Sequence, residues 1–238
     1  MKKIGFAILT GLCVASAASA ANLTLTFNGY GLVGANRIAY NHSRAWDARG
    51  ATTFYSINCG IHNFTSGSGR SVDAFCAQLF EGVTAGNTYA FACVAPSQVP
   101  DEPGNPGNMG AIKATIVQDL YKRYYNGIDT AIEASAFQLA LYEITHENLT
   151  GADAAAAVVQ LNLAAGAFSA STTGSDAYSD AAAMLASLGS GGFGSMGNNL
   201  VGLTNPSAQD QLVVVPIGAP AILAGLGLLG VGLIRRRK

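Results

Sequence analysis

Two residues in this chain sit in surroundings that point to chemistry, a cysteine and a glutamine some sixty positions apart. Cys76 lies in the strand-like run Asp73-Ala74-Phe75-Cys76-Ala77-Gln78-Leu79. Gln138 lies in Ala136-Phe137-Gln138-Leu139-Ala140-Leu141-Tyr142-Glu143-Ile144, which has the spacing of an amphipathic helix. A thiolate is a nucleophile and is set by its surroundings. A primary amide among large apolar residues costs roughly 1–3 kcal/mol to bury unless it is bonded. An inward-facing Gln138 therefore needs something that satisfies or consumes its amide. The plain alternative is that Cys76 is a disulfide partner or a buried apolar thiol, and Gln138 a satisfied core amide.

Other chemistry has less support. His42, His62 and His146 are scattered, and no HExxH or CxxC spacing is present, so no metal or other cofactor is expected. There is no Gly-x-Ser-x-Gly elbow and no phosphate loop. Glu143 and Glu147 stand one helical turn apart, as a carboxylate pair of an exported hydrolase would, but such spacing more often marks a solvated helix face. Four Asn-x-Ser/Thr sequons begin at Asn22, Asn41, Asn63 and Asn148, a frequency expected of an Asn/Thr-rich surface protein.

The elements that position these residues divide by composition. Asn22 to Phe27 alternates as a strand does, and Thr52–His62, Val72–Phe80 and Thr88–Ala95 are further strand candidates. Residues 99–110 carry Pro100, Pro103 and Pro106 and read as a loop. Helices are expected over Ala111–Tyr125, over Thr130–Glu147 behind a Thr130-x-x-Glu133 capping box, and over Ser175–Leu188. The fold class is α+β, with a β-rich, sandwich-like or barrel-like N-terminal half and a helical C-terminal half. Residues 189–211, rich in Gly, Ser and Asn, read as a flexible stalk.

The ends of the chain say where it goes. Lys2 and Lys3, an apolar run from Ile4 to Val14, and Ala18-Ser19-Ala20 make residues 1–20 a signal peptide for signal peptidase. Leu12 is too bulky for a lipoprotein reading of Cys13, which is lost on processing. Leu212–Ile234 is uncharged and long enough to cross a bilayer, and Arg235-Arg236-Arg237-Lys238 marks a cytoplasmic exit. The expected topology is an outside domain, one span and a basic inner tail at 235–238.

The formal charge of −1 hides an acidic exported part. Of 13 Lys and Arg, two leave with the signal and four sit in the tail, so 7 remain against all 14 acidic residues, a net of −7. No basic cluster remains there, which argues against nucleic acid as a partner. Cys59, Cys76 and Cys93 remain in an oxidising compartment, an odd number, so one is not paired within the chain.

Phe-Cys-x-x-Leu, followed by Ala-Phe-Gln-Leu-Ala-aliphatic-aromatic-Glu-Ile, resembles the thioester domain of bacterial surface proteins. The segment Lys113–Tyr125 resembles the helix that precedes the glutamine in that family. The resemblance covers residues 52–171 within a domain at 21–188. It departs at Tyr142, where the family commonly has Trp, and at Ala77-Gln78, where Ile-Glu is common. It implies a bond between the Cys76 sulfur and the Gln138 side-chain carbonyl, formed with release of ammonia and shielded by Phe75, Phe137 and Leu139. It implies a covalent adhesin or matrix protein, not an enzyme, whose partner bears an amine. With Cys76 so used, Cys59 and Cys93 are left as a disulfide pair. The tail resembles an exosortase sorting signal, including Pro216, Pro220, Arg235, Arg236 and Arg237, but Val215-Pro216-Ile217-Gly218-Ala219-Pro220 lacks the Pro-Glu-Pro motif. A non-covalent matrix-binding or polysaccharide-binding module without a thioester is the other function these features allow.

Overall fold

The computed structural model describes residues 22–40, 55–79, 81–100, 108–171 and 177–215. Its strands are β1 (Asn22–Tyr40), β2 (Tyr55–Ser66), β3 (Ser71–Cys76), β4 (Thr88–Val94), β5 (Phe168–Ala170), β6 (Leu200–Asn205) and β7 (Ala208–Val214). Its helices are α1 (Gly110–Tyr124), α2 (Ala131–His146), α3 (Ala154–Val158) and α4 (Ala177–Ser187). The class is α+β. Six strands in the order β1-β2-β3-β7-β6-β4 close on β1 as an antiparallel barrel, and β5 adds to the far end of β1.

The length of β1 makes this closure possible. Its first residues pair with β4, its middle and end with β2, and its last residues with β5. Register shifts between Phe27 and Gly29 and between Tyr30 and Val33 bend it, which is what bulges do at barrel corners. Gly60 faces the second shift at φ +148, a backbone that side chains rarely adopt, and a Cβ there would run into the Leu32 carbonyl.

Two apolar clusters hold the fold. One fills the barrel with Leu25, Phe27, Phe64, Phe91, Leu203 and Val213. The larger one lies between the barrel wall and the helices and contains Phe75, Cys76, Phe137 and Leu139. Helix α2 is its centre. Thr130 accepts from the Glu133 amide and Glu133 returns to the Thr130 amide, the capping box expected from sequence. Every residue from Ala134 to His146 is buried. An amphipathic helix with a wet face was expected; α2 is instead enclosed by β1, β2, α1 and α4.

The stalk reading fails. Residues 189–196 are tied to α1: the Asp119 carboxylate accepts from the Gly189 and Gly194 amides at 2.8 and 2.7 Å, and Gln118 Oε1 from the Met196 amide at 2.9 Å. Then β6 and β7 form a hairpin that completes the barrel between β4 and β3. The domain thus runs past Leu188 to Val214, and the C-terminal part is not wholly helical. Glycine and serine gave this segment a linker's composition, but the buried Asp119 and the half-buried Gln118 on α1 satisfy part of its backbone.

The same hairpin takes the start of the expected membrane span, since Leu212–Val214 belong to β7. No helix among the described residues is long and apolar enough to cross a membrane. The signal peptide at 1–20, residues 216–234 of the span with Pro216 and Pro220, and the basic tail with Arg235, Arg236 and Arg237 lie outside the described residues.

Candidate functional site

Strand β3 ends at Cys76, and α2 passes over that end with Gln138 facing it. The Gln138 amide lies flat on the Cys76 backbone: the Cys76 N–H donates to Gln138 Oε1 at 3.0 Å, and Gln138 Nε2 donates to the Cys76 carbonyl at 2.8 Å. Both residues are buried. The amide that looked costly in the sequence is therefore satisfied, and satisfied by the residue the sequence paired it with.

The Cys76 sulfur has its own partners. It lies 3.2 Å from both ring nitrogens of His62 and 3.6 Å from Nε2 of Gln211, and the Tyr142 side chain is close enough to favour its charged form. Burial pushes the Cys76 thiol up to about 12, against smaller opposing effects of Tyr142 and Gln211. Burial also lowers His62 to about 4, so its ring is neutral at physiological pH. The site thus holds a protonated thiol beside a neutral base.

Of the shielding residues expected, Phe75 and Phe137 pack ring on ring at 4.6 Å, and Tyr121 meets Phe137 edge-on at 4.9 Å. Leu139 is fully buried in the same core.

His62 and Gln211 were not singled out from the sequence as site residues, and register explains how they arrive. His62 on β2 pairs with Ala74 on β3, which makes Cys76 its diagonal neighbour on one face. Gln211 on β7 is the direct partner of Cys76. Neither relation shows until strand pairing is known. His42 lies outside the described residues.

The Cys59–Cys93 disulfide is corrected. All three cysteines are free thiols. Cys59 pairs with Gly34 on β1, whereas Cys93 lies opposite Leu203, beyond the point where Asn22 at the start of β1 meets Ala92. At about 3.3 Å per residue, Gly34 and Asn22 are roughly 40 Å apart along the strand. A bridge needs Cα atoms within about 7 Å. Cys59 instead lies near Cys76, whose thiolate, where it forms, adds to burial in raising the Cys59 thiol.

Glu143 and Glu147 are neither a solvated face nor an open pair. Glu143 is fully buried and accepts from the Asn162 amide at 2.6 Å, and burial raises it to about 8. Glu147 accepts from the Ala167 and Asn148 amides, both at 2.9 Å. Among the described residues no group of three or more His, Cys, Asp or Glu side chains is placed to hold a metal.

No family model matches the chain, and no curated protein or solved structure is significantly similar to it.

Proposed function

We propose that this protein is an exported surface or matrix adhesin that forms an internal thioester between Cys76 and Gln138 and uses it to bond covalently to an amine-bearing partner. The observation that carries this reading is the pairing of the Gln138 amide with both backbone groups of Cys76 inside a dry core. The Cys76 N–H already polarises the Gln138 carbonyl. The same N–H is placed to hold the oxyanion when sulfur adds to that carbon, the role of preorganised donors in acyl transfer. Collapse of the adduct expels ammonia and leaves the acyl group on sulfur. The apolar packing of Phe75 and Phe137 favours survival of that ester by excluding water. Attack by a lysine-type amine then gives an amide on Gln138 and frees the thiol.

In this reading residues 1–20 direct export through signal peptidase. The uncharged segment after β7 and its basic end hold the protein at the membrane, where an exosortase-type enzyme sorts it to the surface or matrix.

Intact-mass measurement of the purified chain, with and without methylamine, tests the reading. The expected result is a mass lower than the sequence mass, after signal removal, by one ammonia, with one methylamine gained on incubation. A full unreacted mass that ignores methylamine overturns it and leaves the non-covalent binding module.

A further inference from the structure

We propose that His62 is the proton carrier of the Cys76–Gln138 site, removing the thiol proton as the thioester forms and returning it to sulfur as an amine opens it. This rests on the thioester reading and adds to it a catalytic residue that touches the reacting atom.

The need for such a group follows from the site. A buried thiol is a poor nucleophile until it loses its proton, and burial here opposes that loss. Among the described residues the sulfur meets His62, Gln211 and Tyr142, and no Asp, Glu, Lys or Arg side chain bonds it. Of these three, the neutral imidazole is the one that keeps a free acceptor nitrogen in either tautomer, and because burial weakens it as a base it takes the proton only as sulfur bonds to carbon. Gln211 Nε2 and the Tyr142 hydroxyl act differently. Gln211 donates toward sulfur and Tyr142 also favours its charged form, so both ease its departure as a thiolate when an amine attacks.

The His62 ring, itself buried, lies one side chain below the surface. It meets Tyr30 edge-on at 5.0 Å, and Tyr30 is 45% exposed, one of few large apolar side chains in the open. Phe27 and Phe64 close the other sides of the ring. Among the described residues its titratable neighbours are Cys76 on β3 and Tyr30 on β1, with Tyr142 of α2 beyond the sulfur. Equal distances to both ring nitrogens mean that the sulfur is in line with neither lone pair. The transfer therefore requires a turn about the Cβ–Cγ bond of His62 that brings one into line.

The step balances without any further reactant. The Cys76 S–H proton passes to His62 as sulfur bonds to the Gln138 carbonyl carbon. The imidazolium then gives that proton to the departing nitrogen, and ammonia leaves. In the transfer reaction the attacking amine loses a proton to His62, the carbon–sulfur bond breaks, and His62 delivers the proton to the Cys76 thiolate.

The test follows ammonia loss by intact mass after the full-length chain, first treated with ammonia to restore the Gln138 amide, is denatured and refolded free of ammonia, in wild type, His62→Phe and His62→Gln. General-base catalysis is worth about 10²–10⁴ in rate. The expected result is thioester formation at least about 10²-fold slower in both folded variants. Its rate should be flat between about pH 6 and 8 in wild type and rise about tenfold per pH unit in the variants, where hydroxide must make the thiolate. Variants that form the ester at the wild-type rate overturn the proposal while leaving the thioester reading intact. A wild type that never loses ammonia overturns the reading itself. If neither variant folds, the wild-type pH profile decides: a tenfold rise per unit excludes a neutral internal base.

Discussion

Gln138 and Glu143 are both buried on α2, yet the helix delivers them to opposite kinds of partner. Gln138 meets the backbone of a cysteine whose sulfur is surrounded by His62, Gln211 and Tyr142. Glu143, with Glu147 one turn on, meets backbone amides of the loop after α3. The first region brings a thiol, a side-chain amide and an imidazole together. The second gives loop N–H groups the acceptors they need, and one oxygen of Glu143 has no partner. Burial of a polar side chain therefore does not by itself mark a reactive site; what matters is whether its partner can react.

The sharpest way to break this contrast is to remove one side chain from each region. Cys76→Ala should abolish methylamine incorporation entirely. Glu143→Gln and Glu147→Gln should leave its extent unchanged while the chain stays folded. Intact mass reads both. Loss of labelling in a folded glutamate variant would merge the two regions into one site and revive the hydrolase alternative.

A second contrast lies in the pH dependence of stability, with opposite signs. Folding lowers His62 from its ordinary value to about 4. The unfolded chain then holds more protons between those values, so stability falls as pH drops below about 6.5. Glu143 is raised to about 8. The folded chain keeps its proton, so that contribution is fully present below about 4.3 and is lost as pH rises through 8. His146, lowered to about 3, and Asp210, raised to about 7, add to the two slopes respectively. Denaturant melts across pH 5 to 8 should show His62→Phe flattening the acid side and Glu143→Gln the alkaline side. Identical slopes in wild type and both variants would contradict the burial of these groups.

Legibility differed between the regions for a physical reason. The Cys76 and Gln138 environments were readable because each is local: a thiol in a strand run, an amide in a helix stripe. The capping box at Thr130 and the boundaries of α1, α2 and α4 were local too, and fell within a residue or two of expectation. His62 and Gln211 reach the sulfur only through strand register. The β6–β7 hairpin was hidden by its Gly/Ser/Asn-rich approach and by three residues shared with an apolar run. The place of Cys93 depended on the path of β1, whose pairing partner changes along its length.

On the structural side of the contrast, Glu147→Ala should cost about 1–3 kcal/mol by leaving buried N–H groups near Ala167 without an acceptor. Gly166 is pressed against this carboxylate at φ +133, so Gly166→Ala should destabilise the same loop through strain. Chemical denaturation measures both. Methylamine labelling should persist in each folded variant, since neither residue touches the sulfur.

The smallest expected effect probes what the two regions share, the placement of α2. Thr130 accepts from the Glu133 amide at 3.2 Å, and Glu133 accepts in return from the Thr130 amide at 2.8 Å. Loss of an N-cap of this kind costs about 1 kcal/mol. Thr130→Ala should lower stability by that modest amount, read as a small drop in melting temperature. The cap lies at the exposed start of the helix, two turns before Gln138, and the 13 buried residues from Ala134 to His146 fix the helix on the barrel. The register of Gln138 on Cys76 therefore comes from packing and not from the cap. The extent of methylamine labelling should stay at the wild-type level. A Thr130→Ala chain that folds but labels poorly would show that the helix start, and not its enclosed middle, sets the Cys76–Gln138 geometry.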